Sequence, residues 1–321
     1  MKSIRLIGYA TDELRDFMNE WDSDSAGITA HTSGSTGVPK NILLSRDDML
    51  MSARATCRYF GIDAGSILGL PLSASYIAGK MMAVRSLVSG ASLYIETPSN
   101  RPLESYTGLP VSLLSVVPSQ LRYLLDSGRL SLVQRLLIGG SPLPETLESA
   151  LLAAGYHSAY VSYGMTETCS HVALRWIGSD VYEALPGTEF ALDDRGCLII
   201  VTDGASYSPI ITNDIAELID PIHFRWLGRF DNVVISGGLK LMPEVIEKKV
   251  APALEGRSFV IFGRPSDKWG AELVMLVEAD AAIGGLYEKL REMLPSAEVP
   301  KEILYTPRLK RVNGKIIRPR T

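Results

Sequence analysis

The sequence predicts an α/β protein of two parts, a large N-terminal domain of α/β sheets and a smaller α+β C-terminal domain. Three observations carry this. A chain of 321 residues is longer than one hydrophobic core usually organises. Short apolar runs alternate with helix-like stretches over the first half. From about Pro186 the pattern changes to hairpins and then to a compact mixed unit. With 46% hydrophobic and 21% charged residues, the chain is globular rather than disordered or fibrous.

Taken in order, residues 11–20 predict a short helix. Ser45 followed three residues later by Asp48 has the form of a capping box opening an amphipathic helix to about Tyr59. The runs 66–70, 92–95, 113–117 and 135–138 are apolar and end at Pro, Gly or Ser, as covered parallel strands do, with helices expected between them. Residues 189–192 and 197–201 flank the turn signal Asp193-Asp194-Arg195-Gly196, and 215–219 with 224–227 form a second pair. Beyond Gly228, helices at 243–254 and 286–294 and strands at 259–262 and 272–277 are expected. A boundary near residues 229–232 gives domains 1–228 and 229–321.

Composition excludes several classes. The longest uncharged run, 149–166, contains Gly155, His157 and several Ser and Tyr, unlike the ~20 apolar residues that span a bilayer, so no membrane insertion is expected. The start Met1-Lys2-Ser3-Ile4-Arg5 has no apolar leader, and Cys57, Cys169 and Cys197 fit neither a disulfide framework nor metal spacing. A cytoplasmic location is the expectation. A net charge of −4 argues against a nucleic-acid partner. The charge is uneven: residues 301–321 carry Lys301, Arg308, Lys310, Arg311, Lys315, Arg318 and Arg320 against Glu302, a net +6. Charge leaves two readings open, a solvated tail and a lid that meets polyphosphate.

The strongest local signal is Thr32-Ser33-Gly34-Ser35-Thr36-Gly37-Val38-Pro39-Lys40. Small residues let backbone N–H groups converge on an anion, hydroxyls add donors, and Lys40 offers a point charge to phosphate oxygens. It is not a Walker A loop, because Pro39 stands where that motif needs glycine before the lysine.

This string resembles the phosphate loop of the adenylate-forming superfamily of acyl-CoA synthetases, luciferases and adenylation domains, and further signatures follow in the family's order. Tyr163-Gly164-Met165-Thr166-Glu167-Thr168 resembles the aromatic-Gly-x-Thr-Glu motif. Thr212-Asn213-Asp214 is similar to Thr-Gly-Asp, with Asn213 replacing the glycine. Gly228-Arg229-Phe230-Asp231 resembles the hinge motif, continued by Ser236-Gly237-Gly238-Leu239-Lys240, and Asn313-Gly314-Lys315-Ile316 resembles the motif of the C-terminal catalytic lysine. Six ordered matches over nearly the whole chain make the resemblance specific.

The resemblance implies ATP, Mg2+ and coenzyme A as small-molecule partners, and it implies roles. Tyr163 and Gly164 would meet adenine, Thr166 the α-phosphate, Glu167 the Mg2+, Asp214 the ribose hydroxyls, and Arg229 ribose and phosphate. Lys315 would neutralise charge at the α-phosphate, Asp231 would be the hinge, and Gly238 would line a pantetheine channel. Gly139-Gly140-Ser141-Pro142 resembles the adenine-binding turn; a helix entry with Pro142 near its first position is the competing reading. Family members carry a long segment before the phosphate loop, here reduced to 31 residues, so a truncated N-terminal subdomain, an exposed apolar face and a homodimer are expected.

Among subfamilies, Ser162 to His171 and Val116-Val117-Pro118-Ser119-Gln120-Leu121 look most like the o-succinylbenzoate-CoA ligases of menaquinone synthesis. Such a substrate keeps a second carboxylate that needs a cation in the acyl pocket. The resemblance over residues 76–91 places Arg85 where such ligases hold an arginine for that carboxylate, with Lys80 the competing cation; Arg85 capping or snorkelling from its helix is the structural alternative. Tyr76 falls where the family often has His, and His171 would line the pocket. Two other readings remain: adenylation of another carboxylic acid, and a truncated nucleotide binder without catalysis.

Overall fold

The computed structural model describes residues 4–31, 41–312 and 315–319, and the chain divides into two compact units. The first comprises residues 1–190, 200–210 and 219–224, and the second 191–199, 211–218 and 225–321.

The first unit begins with β1 (Arg5–Ile7), α1 (Asp12–Asp22), β2 (Ile28–His31), β3 (Asn41–Leu44) and α2 (Arg46–Phe60). It continues through β4 (Ile67–Leu70), α3 (Ile77–Ser89), β5 (Ser92–Ile95), β6 (Leu113–Val116), α4 (Pro118–Asp126), β7 (Leu136–Ile138), α5 (Glu145–Ala153), β8 (Ala159–Gly164), β9 (His171–Trp176) and β10 (Val181–Ala184). Apart from β2 and β3, which pair with each other, these strands lie in one sheet in the order β1-β5-β4-β6-β7-β8-β9-β10. The pairs β1–β5, β5–β4, β4–β6, β6–β7 and β7–β8 are parallel, and β9 turns back antiparallel to β8.

The four apolar runs are therefore the centre of a parallel sheet, as their composition predicts. Side-chain alternation assigns its two faces. Leu68, Leu70, Leu113 and Leu137 pack with Met49 and Ala53 of α2 and Met81, Met82 and Val84 of α3. Leu114, Val116, Leu136 and Ile138 pack with Leu121 and Leu124 of α4 and Leu147 and Leu151 of α5. Three expectations need correction. No helix joins β5 to β6, where residues 96–112 run irregularly. β1 and the antiparallel β9 and β10 have no counterpart in the sequence reading. At α2, Ser45 does cap, its Oγ accepting from Asp48 N at 3.3 Å, but the Asp48 carboxylate accepts from Ser206 N at 2.9 Å and from the Ser206 hydroxyl instead of closing a capping box.

Gln120, 3% exposed, shows why its motif matters. Its amide donates to Pro71 O at 3.1 Å and Ser99 O at 2.8 Å, tying together the loops that leave the carboxyl ends of β4 and β5. In open parallel sheets that end is where ligands bind.

The strands β11 (Thr188–Leu192), β12 (Cys197–Thr202), β13 (Ile210–Asp220) and β14 (His223–Arg229) are each shared between the units. The second unit adds β15 (Val234–Ser236), β16 (Leu239–Leu241), α6 (Pro243–Val250), β17 (Phe259–Ser266), β18 (Gly270–Glu278), α7 (Leu286–Met293), β19 (Glu302–Thr306), β20 (Arg311–Val312) and β21 (Lys315–Ile316). A three-stranded sheet β17-β18-β19 packs Ile261, Leu273, Met275 and Val277 with Ile246 and Val250 of α6 and Leu286 and Leu290 of α7. Among the described residues, no helix is long and apolar enough to cross a membrane, and the three cysteines are buried and free.

Candidate active site

The phosphate-loop string, Thr32 to Lys40, lies outside the described residues. Its flanks are β2 and β3, paired antiparallel from Ile28 opposite Leu44 to His31 opposite Asn41.

Tyr163 and Gly164 end β8, where the register with β9 is broken by a bulge. Bulges of this kind re-aim the chain beside functional sites. Glycine is required at 164, because a Cβ there would lie 2.4 Å from Ser170 O and 2.5 Å from His171 Cα. Thr166–Thr168 is a single 3-10 turn, closed by Thr168 Oγ1, which accepts from Met165 N at 3.0 Å and donates to Ser170 O at 2.6 Å. Cys169 then takes φ +59, a conformation costly for a side-chain-bearing residue, so the turn is held by its surroundings. The result leaves Glu167 exposed and Thr166 half-buried. The Tyr163 ring meets Phe224 at 5.1 Å and Tyr182 at 5.8 Å, both edge to face.

The glycine pair after β7 also has structural reasons. A Cβ on Gly139 would come within 2.6 Å of Ser162 Oγ, and Gly140 has φ +82. The competing helix-entry reading is overturned: α5 begins at Glu145, with Pro144 as its cap, so Gly140, Ser141 and Pro142 form a loop at the end of a parallel strand.

Arg85 is the largest fully buried side chain, 2% exposed, at the centre of a polar cluster. Nη2 donates to Ser170 Oγ at 2.6 Å and Nη1 to Met82 Sδ at 3.3 Å, while Nε is buried with no hydrogen-bond partner among the described residues. His171 sits beside it, Nδ1 3.2 Å from Ser170 Oγ and Nε2 3.2 Å from Thr56 Oγ1. Among the described residues no carboxylate pairs with Arg85. Burial accordingly pulls the guanidinium down to about 10, partly opposed by Cys57. Burial, and then the charge of Arg85, hold His171 well below its ordinary value, so it is neutral. His171 also lines a cleft of about 170 Å3 with Ser52, Ala55, Val172 and Leu185. Snorkelling does not describe Arg85, whose head is inside. Ser170 and Thr56 were missed from sequence as site residues; Ser170 stands in the quoted motif but gives no sign there of what it would touch.

Lys80, the competing cation, is engaged. Its Nζ bonds Glu20 Oε2 at 3.2 Å and Thr29 O at 2.8 Å and lies 5.3 Å over the Phe17 ring. Tyr76 caps the start of α3 without a side-chain bond and is 56% exposed.

In the second unit, buried Asp214 accepts from Trp226 Nε1 at 3.2 Å and Arg229 Nη1 at 3.4 Å, and its N–H is held by Thr212 Oγ1 at 3.0 Å. Arg229 also bonds Asp231 at 3.0 Å. Asn213 bridges Arg195 Nη1, accepting at 2.9 Å, to Asp231, donating at 3.4 Å. The four motif residues Thr212, Asp214, Arg229 and Asp231 thus come together with Asn213. Gly237 and Gly238, φ +55 and +80, form the two-residue turn between β15 and β16, a geometry that needs positive φ at both positions. That is a sufficient local reason for Gly238. Lys315 lies on β21, opposite Val312.

The solvated-tail reading of the basic C-terminus is corrected at two residues. Arg311 pairs with Glu278 at 2.6 Å, and half-buried Arg318 pairs with Glu247 at 2.7 Å and Glu244 at 3.3 Å.

Comparison with known proteins adds an independent line. The family model described as AMP-binding enzyme matches residues 9–203. The 2-succinylbenzoate–CoA ligase of Listeria monocytogenes is 27% identical over 94% of this chain and 71% of its own length, and that of Haemophilus influenzae 28% identical over 92% and 69%. Among solved structures, the acyl-CoA synthetase (AMP-forming)/AMP-acid ligase II-like protein of Dyadobacter fermentans is 32% identical, with TM-score 0.64 over 94% of this chain and 90% of that one. The O-succinylbenzoate coenzyme A synthetase of Bacillus subtilis, in complex with ATP and magnesium, shares the fold at TM-score 0.77 over 92% and 69%, with 20% identity.

Proposed function

We propose that this chain, which belongs to the AMP-binding enzyme family, is an AMP-forming acid–thiol ligase that converts o-succinylbenzoate to o-succinylbenzoyl-CoA through an acyl-adenylate. The observation that carries the substrate is Arg85, a buried cation with an orphaned Nε and no carboxylate partner among the described residues. Sequestering such a charge costs several kcal/mol, which an anionic ligand would offset. A dicarboxylic acid that reacts at one end and keeps the other ionised supplies that anion. Names of the relatives at 27% and 28% identity point to the same acid.

In this reading the reacting carboxylate attacks the α-phosphorus of ATP in line; the new acyl–phosphate bond forms as the bond to pyrophosphate breaks. Thr32 to Lys40 would cradle the β- and γ-phosphates, with Thr166 donating to the α-phosphate, Tyr163 beside adenine on the loop of Gly140 and Ser141, and Asp214 and Arg229 on the ribose. Lys315 would neutralise the charge that grows on the phosphoryl oxygens. Exposed Glu167 fits Mg2+, which takes one or two carboxylates and completes its shell with phosphate oxygens and water. When bound, that ion offsets triphosphate charge. The region 229–321 would then turn about Asp231, withdrawing Lys315 and admitting the pantetheine thiol past Gly238; the thiolate displaces AMP and leaves the thioester.

The test is incubation of the purified protein with ATP, Mg2+, CoA and o-succinylbenzoate beside a panel of benzoates and short fatty acids, following AMP and thioester by mass. Preferential o-succinylbenzoyl-CoA is the expected result. AMP release with another acid would replace the substrate and keep the mechanism. Silence with every acid would leave nucleotide binding without catalysis.

A further inference from the structure

Arg318 is three residues past Lys315 and belongs to no role assigned so far. Its fork is filled by two carboxylates of α6: Nη1 donates to Glu247 Oε1 at 2.7 Å, and Nη2 donates to Glu247 Oε2 at 3.0 Å and Glu244 Oε1 at 3.3 Å. The three side chains are 17%, 20% and 11% exposed. An arginine fork held by two fixed acids defines orientation as well as position.

Each acid has a second duty. Glu247 accepts from Ile261 N of β17 at 2.5 Å, and Glu244 Oε1 accepts from Asn232 Nδ2 at 2.5 Å. Asn232 adjoins Asp231 in the turn Phe230–Asn232. The other oxygen, Glu244 Oε2, is buried without a hydrogen-bond partner among the described residues, and a Cβ on Gly228 would come within 2.6 Å of it. The Glu244 carboxylate is therefore pressed against the chain just before that turn. Three separate pieces meet on α6: the turn at 230–232, β17, and the segment leaving β21.

The two legs of that segment are tied to each other and to the unit. β20 and β21 pair from Arg311 opposite Ile316 to Val312 opposite Lys315, and Ile317 N donates to Lys310 O at 2.9 Å. Its other leg is pinned where Glu278 accepts from Leu309 N at 3.0 Å and pairs with Arg311 at 2.6 Å, and Arg311 Nη2 reaches Ser258 Oγ at 2.9 Å.

We infer that Arg318 is a positioning residue for adenylation: through Glu244 and Asn232 it joins the hairpin that carries Lys315 to the turn that carries Asp231, so that lysine and hinge turn move as one piece. The inference rests on the ligase reading above, in which Lys315 serves the first half-reaction and is withdrawn for the second.

The experiment separates the two steps: acid-dependent exchange of pyrophosphate into ATP reports adenylation, and thioester formation from supplied acyl-adenylate and CoA reports the second step. Arg318→Lys keeps the charge but loses the fork. It is expected to lower exchange roughly a hundredfold, the cost of a misplaced catalytic group, with the thioester step little changed. Asn232→Ala, which cuts the link at the hinge end and leaves the ion pairs intact, should lower exchange in the same selective way by a smaller factor. Unfolding followed in parallel corrects each rate for folded protein. Equal loss in both steps, or undiminished exchange in both variants, would overturn the inference. Wild-type protein inactive in exchange with every acid would instead remove the ligase reading, and the inference with it.

Discussion

Arg85 and Arg318 are both withdrawn from water, and they end in opposite electrostatic situations. At both, burial works against the charge. At Arg318, Glu247 and Glu244 more than offset it and hold the guanidinium above its ordinary value, whereas Arg85 has a hydroxyl, a thioether and an orphaned Nε, and falls to about 10. Folding therefore completes one arginine and leaves the other short of an anion. The first behaves as a joint and the second as half of a binding site.

Replacing each by methionine sharpens that contrast most. Arg318→Met abandons two largely enclosed carboxylates, 11% and 20% exposed, and should lower the unfolding free energy of its unit by about 3 kcal/mol, the lower end of the cost of breaking a buried pair. Arg85→Met removes an uncompensated charge and should leave ligand-free stability unchanged or raise it by about 1–2 kcal/mol, a gain of the kind binding sites forgo. Urea unfolding measures both, with the tryptophans of each unit reporting its own transition. A loss at Arg85 as large as that at Arg318 would mean that Ser170 and Met82 already satisfy the guanidinium, and the contrast would collapse.

Function should respond in the reverse sense at Arg85. A hydrogen bond to a charged group contributes about 1.5–3 kcal/mol, so Arg85→Met should raise the KM for o-succinylbenzoate roughly 10- to 100-fold and leave the KM for ATP in place. An aromatic acid without the second carboxylate should show no change. A uniform rise across acids would indicate a repacked pocket instead of a lost charge contact.

Much of this was legible from sequence, for identifiable reasons. The parallel strands announce themselves because covered strands are apolar on both faces, and the motif residues because chemistry restricts them to few types. Dicarboxylate chemistry calls for a cation and the family resemblance nominates Arg85, but its isolation was not legible, since that depends on Ser170 and Thr56 arriving from remote segments. Arg318 was counted only as one charge in a basic tail. Its carboxylates lie 71 and 74 residues away in the chain, on a helix with no sequence signal linking it to the C-terminal segment. Glycines divide in two ways: Gly164 is fixed by close approach, whereas a Cβ on Gly238 would meet nothing within 4 Å among the described residues, and its turn alone explains it.

The neutral state of His171 extends the contrast to pH. Its folded value is depressed, by burial first and then by Arg85, so the stability it brings is present above its unfolded value near 6.5 and is lost as pH falls below it, while the unfolded chain takes up a proton that the native state refuses. The expected slope is about 1.4 kcal/mol per pH unit for this one group. Arg85→Met should shorten the range over which that slope extends, because one of the two causes is removed. A stability profile below pH 6.5 identical in the two proteins would show that the charge of Arg85 does not reach the imidazole.

The smallest effect is expected at Lys80, which tests whether the contrast depends on burial or on pairing. Lys80 is nearly as buried as Arg85, yet its ammonium meets Glu20, whose side chain is 27% exposed. Burial alone would raise the Glu20 carboxyl, but the Thr29 N–H at 2.7 Å and, after it, Lys80 hold it below its ordinary value. Lys80→Met would leave Glu20 in reach of water and still bonded to Thr29, so the cost should be about 1 kcal/mol, far from that of abandoning the enclosed acids around Arg318. The KM for the acid should not move, because a paired ammonium has no charge to spare for substrate. A rise in that KM matching the one at Arg85 would transfer the carboxylate contact to Lys80, and would mean that the Glu20 pair opens when the acid binds.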